Sequence, residues 1–477
     1  MTKFIVTGFV AIEVAYSNKT GAGDAGGGGW PEKVLDFLLP PKREGLLLPS
    51  ATVAKDFRAR ARPQPSQDSL RLSDLRLGAA AIYSGRLAEA GSFRLSSVFD
   101  YNPAMRDPRL AKLAEVLVNY SVGVKRGQLV RINGPSVSEA LVVEIYREVV
   151  KAGGHPMVRM GPEETSEIFF KNASEEQLAY LNPVAKFEIE TIDCSIGIWA
   201  DENTKALTNC DPKRMAKNSA ARRPISDIFM KRASEGKLRW SGTQFPCQAS
   251  AQDAEMSLAE YEDFVFGAGL LDKPDPVAAW KQVSQRQKKL ADFLNGKSDY
   301  RVVAANGTDI RMSVAGKKWI NCDGHENFPD GEVFTGPVIE SVNGVVQFSF
   351  PAVHGGREVE DVRLKFRDGK VVEASASKGE EFLISMLDMD AGSRFLGECA
   401  IGTNYNITRY TKNTLFDEKI GGTVHFALGA GYPETGNSNQ SGLHWDMVVD
   451  LRKGGYAEID GVKVSENGRF TREEFPG

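Results

Sequence analysis

Apolar strand-like runs alternate with helical patterns between residues 128 and 199, and this alternation constrains the fold more than any other feature of the chain. A helical pattern follows the first run and a second lies near residues 174–181. Such a rhythm predicts a parallel sheet covered by crossing helices. We therefore expect residues 105–300 to form an α/β domain. The strand-like runs are 128–133, 155–160 and 194–199, and the first helical face is Val137, Leu141, Ile145 and Val149.

From about residue 300 the pattern changes to short strands and tight turns. Asp-Gly pairs at 368–369 and 460–461 each lie between two strand-like runs, which is a strong local signal for a β-hairpin. One helical pattern, at 379–389, interrupts the strands. The sequence therefore predicts that residues 301–477 form a β-rich α+β domain.

Residues 1–104 differ in composition from the remainder. They contain the glycine run 26–29 and an arginine-rich stretch at 58–62 that is followed by prolines, both typical of linkers. Helical periodicity begins only after Met105. We predict that residues 1–104 are a low-complexity leader that the folded protein does not require, and that Met105 is a candidate translation start.

Bulk composition excludes several classes of protein. The 477 residues are 42% hydrophobic, which is enough to fill a core in each domain, and the formal net charge of −4 is not that of a nucleic-acid-binding protein. No run of apolar residues is long enough to cross a bilayer. Five cysteines are few, odd in number and widely spaced, as in reduced intracellular proteins. We predict a cytoplasmic protein with no nucleic-acid or membrane partner.

Two short motifs resemble known functional sites but lack the sequence context that those sites require. The glycine pattern at 21–26 has the spacing of a dinucleotide-binding loop but is followed by more glycines and Pro31 instead of a helix. His325 and Glu326 begin like a zinc-protease helix, but Pro329 follows and no second histidine lies one turn later. We assign neither function.

The last third of the chain concentrates residues that can bind metals. Each of four glycine-rich segments has a simpler explanation when taken alone, such as an exposed carboxylate on a turn. The segment 441–450 is more specific, because residues two apart in a strand face the same way and His444 and Asp446 can therefore reach one ion. An imidazole and a carboxylate suit Zn²⁺, Co²⁺ or Mn²⁺. The other segments contain Glu332, Glu398, Glu418, His425 and Tyr432.

In order and spacing these segments resemble the M29 family of metallo-aminopeptidases, the aminopeptidase T and S group. The resemblance rests on GEVFTGP at 331–337, FDE at 416–418 with HFALG at 425–429, and SGLHWDM at 441–447. It extends over residues 105–477. Relative to the family's pattern, two residues are inserted between Glu418 and His425.

The resemblance implies a peptidase that releases N-terminal residues by means of two divalent metal ions. It implies that Glu398 can bridge the ions and that Glu418 is the leading candidate for the general base, with Tyr432 either a ligand or a donor to the oxyanion. It also implies substrates with a free N-terminus and a homodimer. The implied metal ligands are Glu332, Glu398, His425, Tyr432, His444 and Asp446.

Two alternatives remain open at this point. Another dinuclear hydrolase, an amidohydrolase or phosphoesterase, would use similar ligands, although phosphoester chemistry usually adds basic residues and these segments contain only Lys419. A non-catalytic metal-binding protein of the same fold is the second alternative. Metal content and a substrate screen separate the three.

Overall fold

The structure, a computed structural model, describes residues 3–7, 10–14 and 107–477. Strands β1 (Lys3–Thr7) and β2 (Val10–Val14) pair antiparallel. The rest of the predicted leader and the candidate start at Met105 lie outside the described residues. The expectation of a dispensable leader therefore stays a prediction.

The alternating rhythm after residue 128 forms the parallel sheet that it predicts. Its strands are β3 (Leu129–Pro135), β4 (His155–Gly161), β5 (Cys194–Trp199), β6 (Arg239–Gln244) and β10 (Asn327–Phe328). Their order is β10-β6-β5-β3-β4, and every neighbouring pair is parallel. The chain goes from β3 outward to β4 and then returns to the other side of β3 to form β5. The direction of winding thus reverses beside β3.

Nine α-helices are described before residue 300, and four of them begin at a proline. Each of these four prolines follows an Asp or Asn whose side chain accepts a backbone N–H from the first turn. The backbone N–H that proline lacks would have no partner in the first turn of a helix, so proline is tolerated there. The Asp or Asn cap and the proline after it therefore fix where each of these helices begins. The four are α1 (Pro108–Val116), α5 (Pro183–Thr191), α6 (Pro212–Ser234) and α9 (Pro276–Leu294). The others are α2 (Glu139–Lys151), α3 (Glu164–Asn172), α4 (Glu175–Leu178), α7 (Gln248–Asp253) and α8 (Leu258–Ala268).

An eight-stranded antiparallel sheet begins at residue 299. Both predicted Asp-Gly turns close hairpins in it, and all four turn residues have positive φ, as a type I′ turn requires. The strands are β7 (Asp299–Val303), β8 (Asp309–Ser313), β12 (Asn343–Gln347), β15 (Arg363–Arg367), β16 (Lys370–Ser375), β20 (Tyr456–Ile459), β21 (Val462–Glu466) and β22 (Arg469–Phe470). Their order is β16-β15-β12-β8-β7-β20-β21-β22.

A second antiparallel sheet of five strands carries most of the candidate ligands. Its strands are β9 (Ile320–Cys322), β11 (Glu332–Thr335), β17 (Leu396–Gly402), β18 (Thr423–Gly429) and β19 (His444–Asp450), in the order β19-β18-β17-β11-β9. One of its faces packs into the same apolar core as the eight-stranded sheet, through Ile401, Phe426 and Met447 among others. The opposite face is therefore free to carry polar groups.

Three smaller features complete the C-terminal part. The predicted helix near 379–389 is α10 (Glu380–Leu387), with Leu383 and Leu387 buried, and α11 (Thr414–Asp417) is a single turn. Strands β13 (Ala352–His354) and β14 (Arg357–Val359) form a separate hairpin. None of the helices in the described ranges is both long and apolar enough to span a membrane.

Candidate metal centre

Strand register places the candidate ligands in rows on one face of the five-stranded sheet. Glu398 pairs with Ala427, and Ala427 pairs with Asp446, so two carboxylates face each other across an alanine. His425 belongs to the next row, where Ala400 is its partner on β17. The two alanines leave space above the sheet, because a larger side chain at either position would fill the region between the ligands.

Alternation along each strand separates the ligands from the core. His444 and Asp446 lie two residues apart on β19 and share the polar face, as the sequence predicts, while Trp445 between them is buried in the apolar core. On β17 the same holds for Glu398 and its neighbour Cys399. The polar face is thus a direct consequence of the two-residue period of a strand.

Short distances join the two histidines to the carboxylates. His425 Nε2 lies 3.2 Å from Glu398 Oε1 and 3.3 Å from Glu332 Oε2. His444 Nε2 lies 3.6 Å from Glu398 Oε2 and 3.5 Å from Asp446 Oδ2. Glu398 therefore directs one oxygen toward each histidine, which is the arrangement that a bridging carboxylate needs.

Backbone carbonyls decide which histidine nitrogen is free. His425 Nδ1 donates to the carbonyl of Glu418, and His444 Nδ1 donates to the carbonyl of Ala430, both over 2.9 Å. A carbonyl can only accept, so each Nδ1 carries a proton and each Nε2 faces the cluster, where it can present a lone pair to a bound cation. Metal-binding histidines are commonly oriented in this way.

The cluster contains more negative charge than its own hydrogen bonds satisfy. Glu332 Oε2 and Asp446 Oδ1 are buried and have no hydrogen-bond partner within residues 107–477. Burial raises the pKa of Glu332 well above its usual range, and the nearby Glu418 and Glu398 charges add to the rise. Burial opposes a charge on His425, but its hydrogen bond with Glu398 and the surrounding carboxylates raise its pKa to about 10. The residues present thus fit a cation.

Possible ligand atoms fall into overlapping sets of three whose members all lie within 4.8 Å of one another. Two sets share Glu398, one with Glu332 and His425 and the other with His444 and Asp446. Imidazole nitrogen and carboxylate oxygen suit a transition-metal ion such as Zn²⁺. A further set consists of Cys322, Asp330 and Glu332, but Asp330 already accepts backbone N–H groups from Gly324 and Gly331.

Tyr432 lies at the edge of this cluster. Its ring packs edge-on against His444 and against Phe334, with ring centroids 5.3 Å apart in both cases. Burial raises the pKa of its hydroxyl, and the Glu398 and Asp446 charges raise it further. The structure therefore brings all six sequence-predicted ligands, together with Glu418, into one region.

Glu418 reaches the sheet face from the loop after α11. Phe416 anchors this loop by packing against Tyr261 and Phe264 of α8. Gly402 permits the close approach, because a Cβ atom at this position would lie 2.2 Å from the carbonyl oxygen of Ile420. The Glu418 carboxylate forms a set with His425 and Asp446 within the same 4.8 Å limit.

Lys419 also belongs to this cluster, which the sequence did not predict. Its side chain is completely buried, forms an ion pair with Glu418, and places Nζ 3.6 Å from Glu332 Oε1. Burial opposes its charge, but the surrounding carboxylates raise its pKa above the ordinary lysine value. The sequence does contain a signal for this lysine, because it directly follows Glu418 in a glycine-rich segment next to apolar residues. A lysine is almost never fully buried unless an acidic group is paired with it.

The fold and the site together define a mixed α/β protein whose candidate metal ligands, histidines and carboxylates, lie on one face of an antiparallel sheet. The family model of the M29 thermophilic metalloproteases matches residues 106–470. The chain therefore belongs to the M29 metalloprotease family, and its membership implies the use of divalent metal.

Relatives of known activity agree with this assignment. Aminopeptidase 2 of Geobacillus stearothermophilus is 29% identical over 402 residues, which cover 76% of this chain and 95% of the relative. Aminopeptidase T of Thermus thermophilus is 28% identical over 403 residues, covering 76% and 96% respectively. The structure of wild-type AmpT from the same organism matches with a TM-score of 0.68 and 25% identity, over 76% of this chain and 99% of that one. The protein is a metal-dependent aminopeptidase of this family.

Proposed function

We propose that the protein releases N-terminal residues from peptides with the help of two divalent ions, and that Glu398 would help to hold both. Glu332 and His425 would hold one ion, and His444 and Asp446 the other, with Tyr432 beside His444. The observation that carries this proposal is the position of Glu398, whose two oxygens face the Nε2 atoms of two different histidines at 3.2 and 3.6 Å. Zinc, cobalt and manganese all accept this donor set.

When bound, two such ions supply a water of lowered pKa and polarise the scissile carbonyl. We assign Glu418 as the proton carrier. Its carboxylate accepts a proton as the water oxygen bonds to the carbonyl carbon, and it returns a proton to the departing amine as the C–N bond breaks. The Glu418 carboxylate lies within 4.8 Å of the possible ligand atoms of His425 and Asp446, and this position supports the role.

Tyr432 can act as a ligand or as a hydrogen-bond donor to the oxyanion. Tyr432→Phe distinguishes the two roles, since it keeps the ring that packs on His444 and removes only the hydroxyl. Loss of bound metal indicates a ligand, whereas a fall in kcat with full metal content indicates a donor. Unchanged kcat and metal content would reject both assignments.

Metal removal tests the proposed reaction directly. Prolonged dialysis against a chelator should abolish release of the amino acid from aminoacyl-anilides, and Zn²⁺, Co²⁺ or Mn²⁺ should restore it. Plasma mass spectrometry of the restored enzyme should find two ions per chain. Phosphoester substrates serve as the negative control. Full activity in a verified metal-free sample would reject the metal mechanism, and one ion per fully active chain would reject the second site.

N-terminal acetylation should make a peptide a poor substrate, because it removes the charge by which an exopeptidase recognises the end of the chain. Initial rates on matched acetylated and free peptides measure this effect. Equal rates would indicate an endopeptidase.

We further propose a homodimer, a cytoplasmic location, and separate domains at 105–300 and 301–477. All five cysteines are free, which supports a reducing compartment. Four of the five parallel strands lie before residue 299, where the eight-stranded antiparallel sheet begins, and this supports the division into domains; β10 joins the parallel sheet from the C-terminal part. Light scattering that detects a stable active monomer would reject the dimer, and limited proteolysis near residue 300 tests the boundary.

A further inference from the structure

A cavity of about 680 Å³, here called the strand-end crevice, lies where the parallel strands end. Pro135, Trp199 and Gln244 are the last residues of β3, β5 and β6, and Pro162 follows β4; all four line the crevice. In open parallel sheets, ligands bind outside the carboxyl ends of the strands, beside the point where the winding reverses. The winding here reverses at β3, so the crevice occupies this position.

The crevice adjoins the metal centre. Its lining includes Val353, Lys412 and Thr414, and these three residues also line a small cavity of about 20 Å³. That small cavity is bordered in turn by Glu418 and Asp446. The crevice and the metal centre are therefore neighbours in the structure.

The crevice contains one acidic group that the protein leaves without a partner. Glu163 accepts the backbone N–H groups of residues 202 and 203, and Asp253 lies 3.5 Å from Lys205 Nζ. The half-buried Asp201 carboxylate forms neither a hydrogen bond nor an ion pair with any residue in 107–477. Burial raises its pKa, and the negative charges of Glu163 and Asp253 raise it further. A cation at Asp201 would relieve this excess of negative charge.

Neutral polar groups also border the crevice. Tyr261 is completely buried, and its hydroxyl has no hydrogen-bond partner in the part of the chain that the structure describes. Nearby, the Asn413 side chain donates to Gln244 Oε1 over 3.1 Å. Groups of this kind bind the amides of a peptide backbone.

We propose that the strand-end crevice binds the substrate chain on the C-terminal side of the scissile bond, and that Asp201 there binds the ammonium or guanidinium group of a lysine or arginine side chain. This inference rests on the proposed function. An aminopeptidase substrate has one residue before the scissile bond, whereas a pocket of this volume encloses a ligand the size of several residues. The small cavity also separates Asp201 from the centre where the α-amino group must lie.

Peptide binding tests the proposal without requiring turnover. N-acetylated pentapeptides with one lysine, moved stepwise from the second to the fifth position, are titrated calorimetrically into the full-length zinc-loaded protein. Norleucine at the same position is the neutral counterpart. At one position lysine should bind about two- to fivefold more tightly than norleucine, as for a partly exposed ion pair. Asp201→Asn and Asp201→Ser should both abolish that difference.

Asp227→Asn is the matched control, because Asp227 is an exposed carboxylate on α6 outside the crevice. It should keep the lysine preference. In the unaltered protein, added salt should also reduce the preference, which tests the charge interaction without any substitution. Equal binding of lysine and norleucine peptides at every position would overturn the proposal, as would a preference that survives both Asp201 variants.

Hydrolysis of unblocked peptides separates this inference from the proposed function. If every peptide is cleaved and lysine gives no preference, the aminopeptidase function stands and the role of Asp201 is rejected. A lysine-dependent affinity without any cleavage supports the crevice and contradicts the proposed function. A preference found only for lysine as the N-terminal residue would place the recognised cation beside the metal centre and would also overturn the proposal.

Discussion

Replacing Lys419 by methionine should destabilise the metal-free protein far more than the metal-loaded one. Methionine keeps most of the length of the apolar stem and removes only the ammonium group. In the metal-free protein the Glu332 and Glu418 carboxylates then lose their buried cation. In the loaded protein a divalent ion supplies part of the missing positive charge, so the loss is smaller.

The geometry sets the size of this effect. At the 3.6 Å between Lys419 Nζ and Glu332 Oε1, the Coulomb energy is about 4–5 kcal/mol at an effective dielectric constant of about 20. Removing one member of a buried ion pair costs about 3–5 kcal/mol, in agreement with that figure. A carboxylate that has lost its buried cation can take up a proton, and this limits the loss of stability. Total stabilities are about 5–15 kcal/mol, so the metal-free variant should be close to unfolding.

Urea unfolding of the variant and the wild type, once in chelator and once in saturating zinc, measures the loss of stability in the metal-free and the metal-loaded protein. By linkage, the difference between them equals the gain in zinc-binding free energy, so the variant should bind zinc more tightly than the wild type. Lys288→Met is the control, since this exposed lysine pairs with Asp292 on the surface and should cost at most about 1 kcal/mol. Equal unfolding midpoints of the two metal-free proteins, or weaker zinc binding by the Lys419 variant, would refute the reasoning.

Three further predictions concern the two histidine–carboxylate ligand candidates of β19, the alanine between the ligands, and the leader. His444→Ala and Asp446→Ala should each lose bound metal, measured by mass spectrometry, because both project from one face of β19; unchanged content in both would contradict the assignment. Ala427→Leu should destabilise the protein by about 1–3 kcal/mol and lower its metal content, since the larger side chain fills the space between Glu398 and Asp446. Full metal content in that variant would show that the alanine is not needed for space. Residues 105–477 expressed alone should keep the thermal stability, metal content and peptidase rate of the full chain, and failure to fold would assign the leader to the domain.

Local patterns determined much of this protein. The alternation after residue 128 predicts the parallel sheet, and the two Asp-Gly pairs predict hairpins, because each depends on neighbours along the chain. The shared face of His444 and Asp446 follows in the same way from the two-residue period of a strand. Convergence of the remaining ligands was expected only from resemblance to a family, since no local pattern connects Glu332 with His425.

The tertiary structure decided those features of the site that depend on pairing between strands far apart in the sequence. Register across β17, β18 and β19 places Ala427 between Glu398 and Asp446, and a shift of one residue would turn a whole strand's ligands into the core. The loop after α11 lies on the sheet face because Gly402 lets it approach, and this contact buries Lys419 among carboxylates. The order of the eight-stranded sheet and the crevice beside Asp201 likewise arise from contacts between segments far apart in sequence, which periodicity along the chain does not encode.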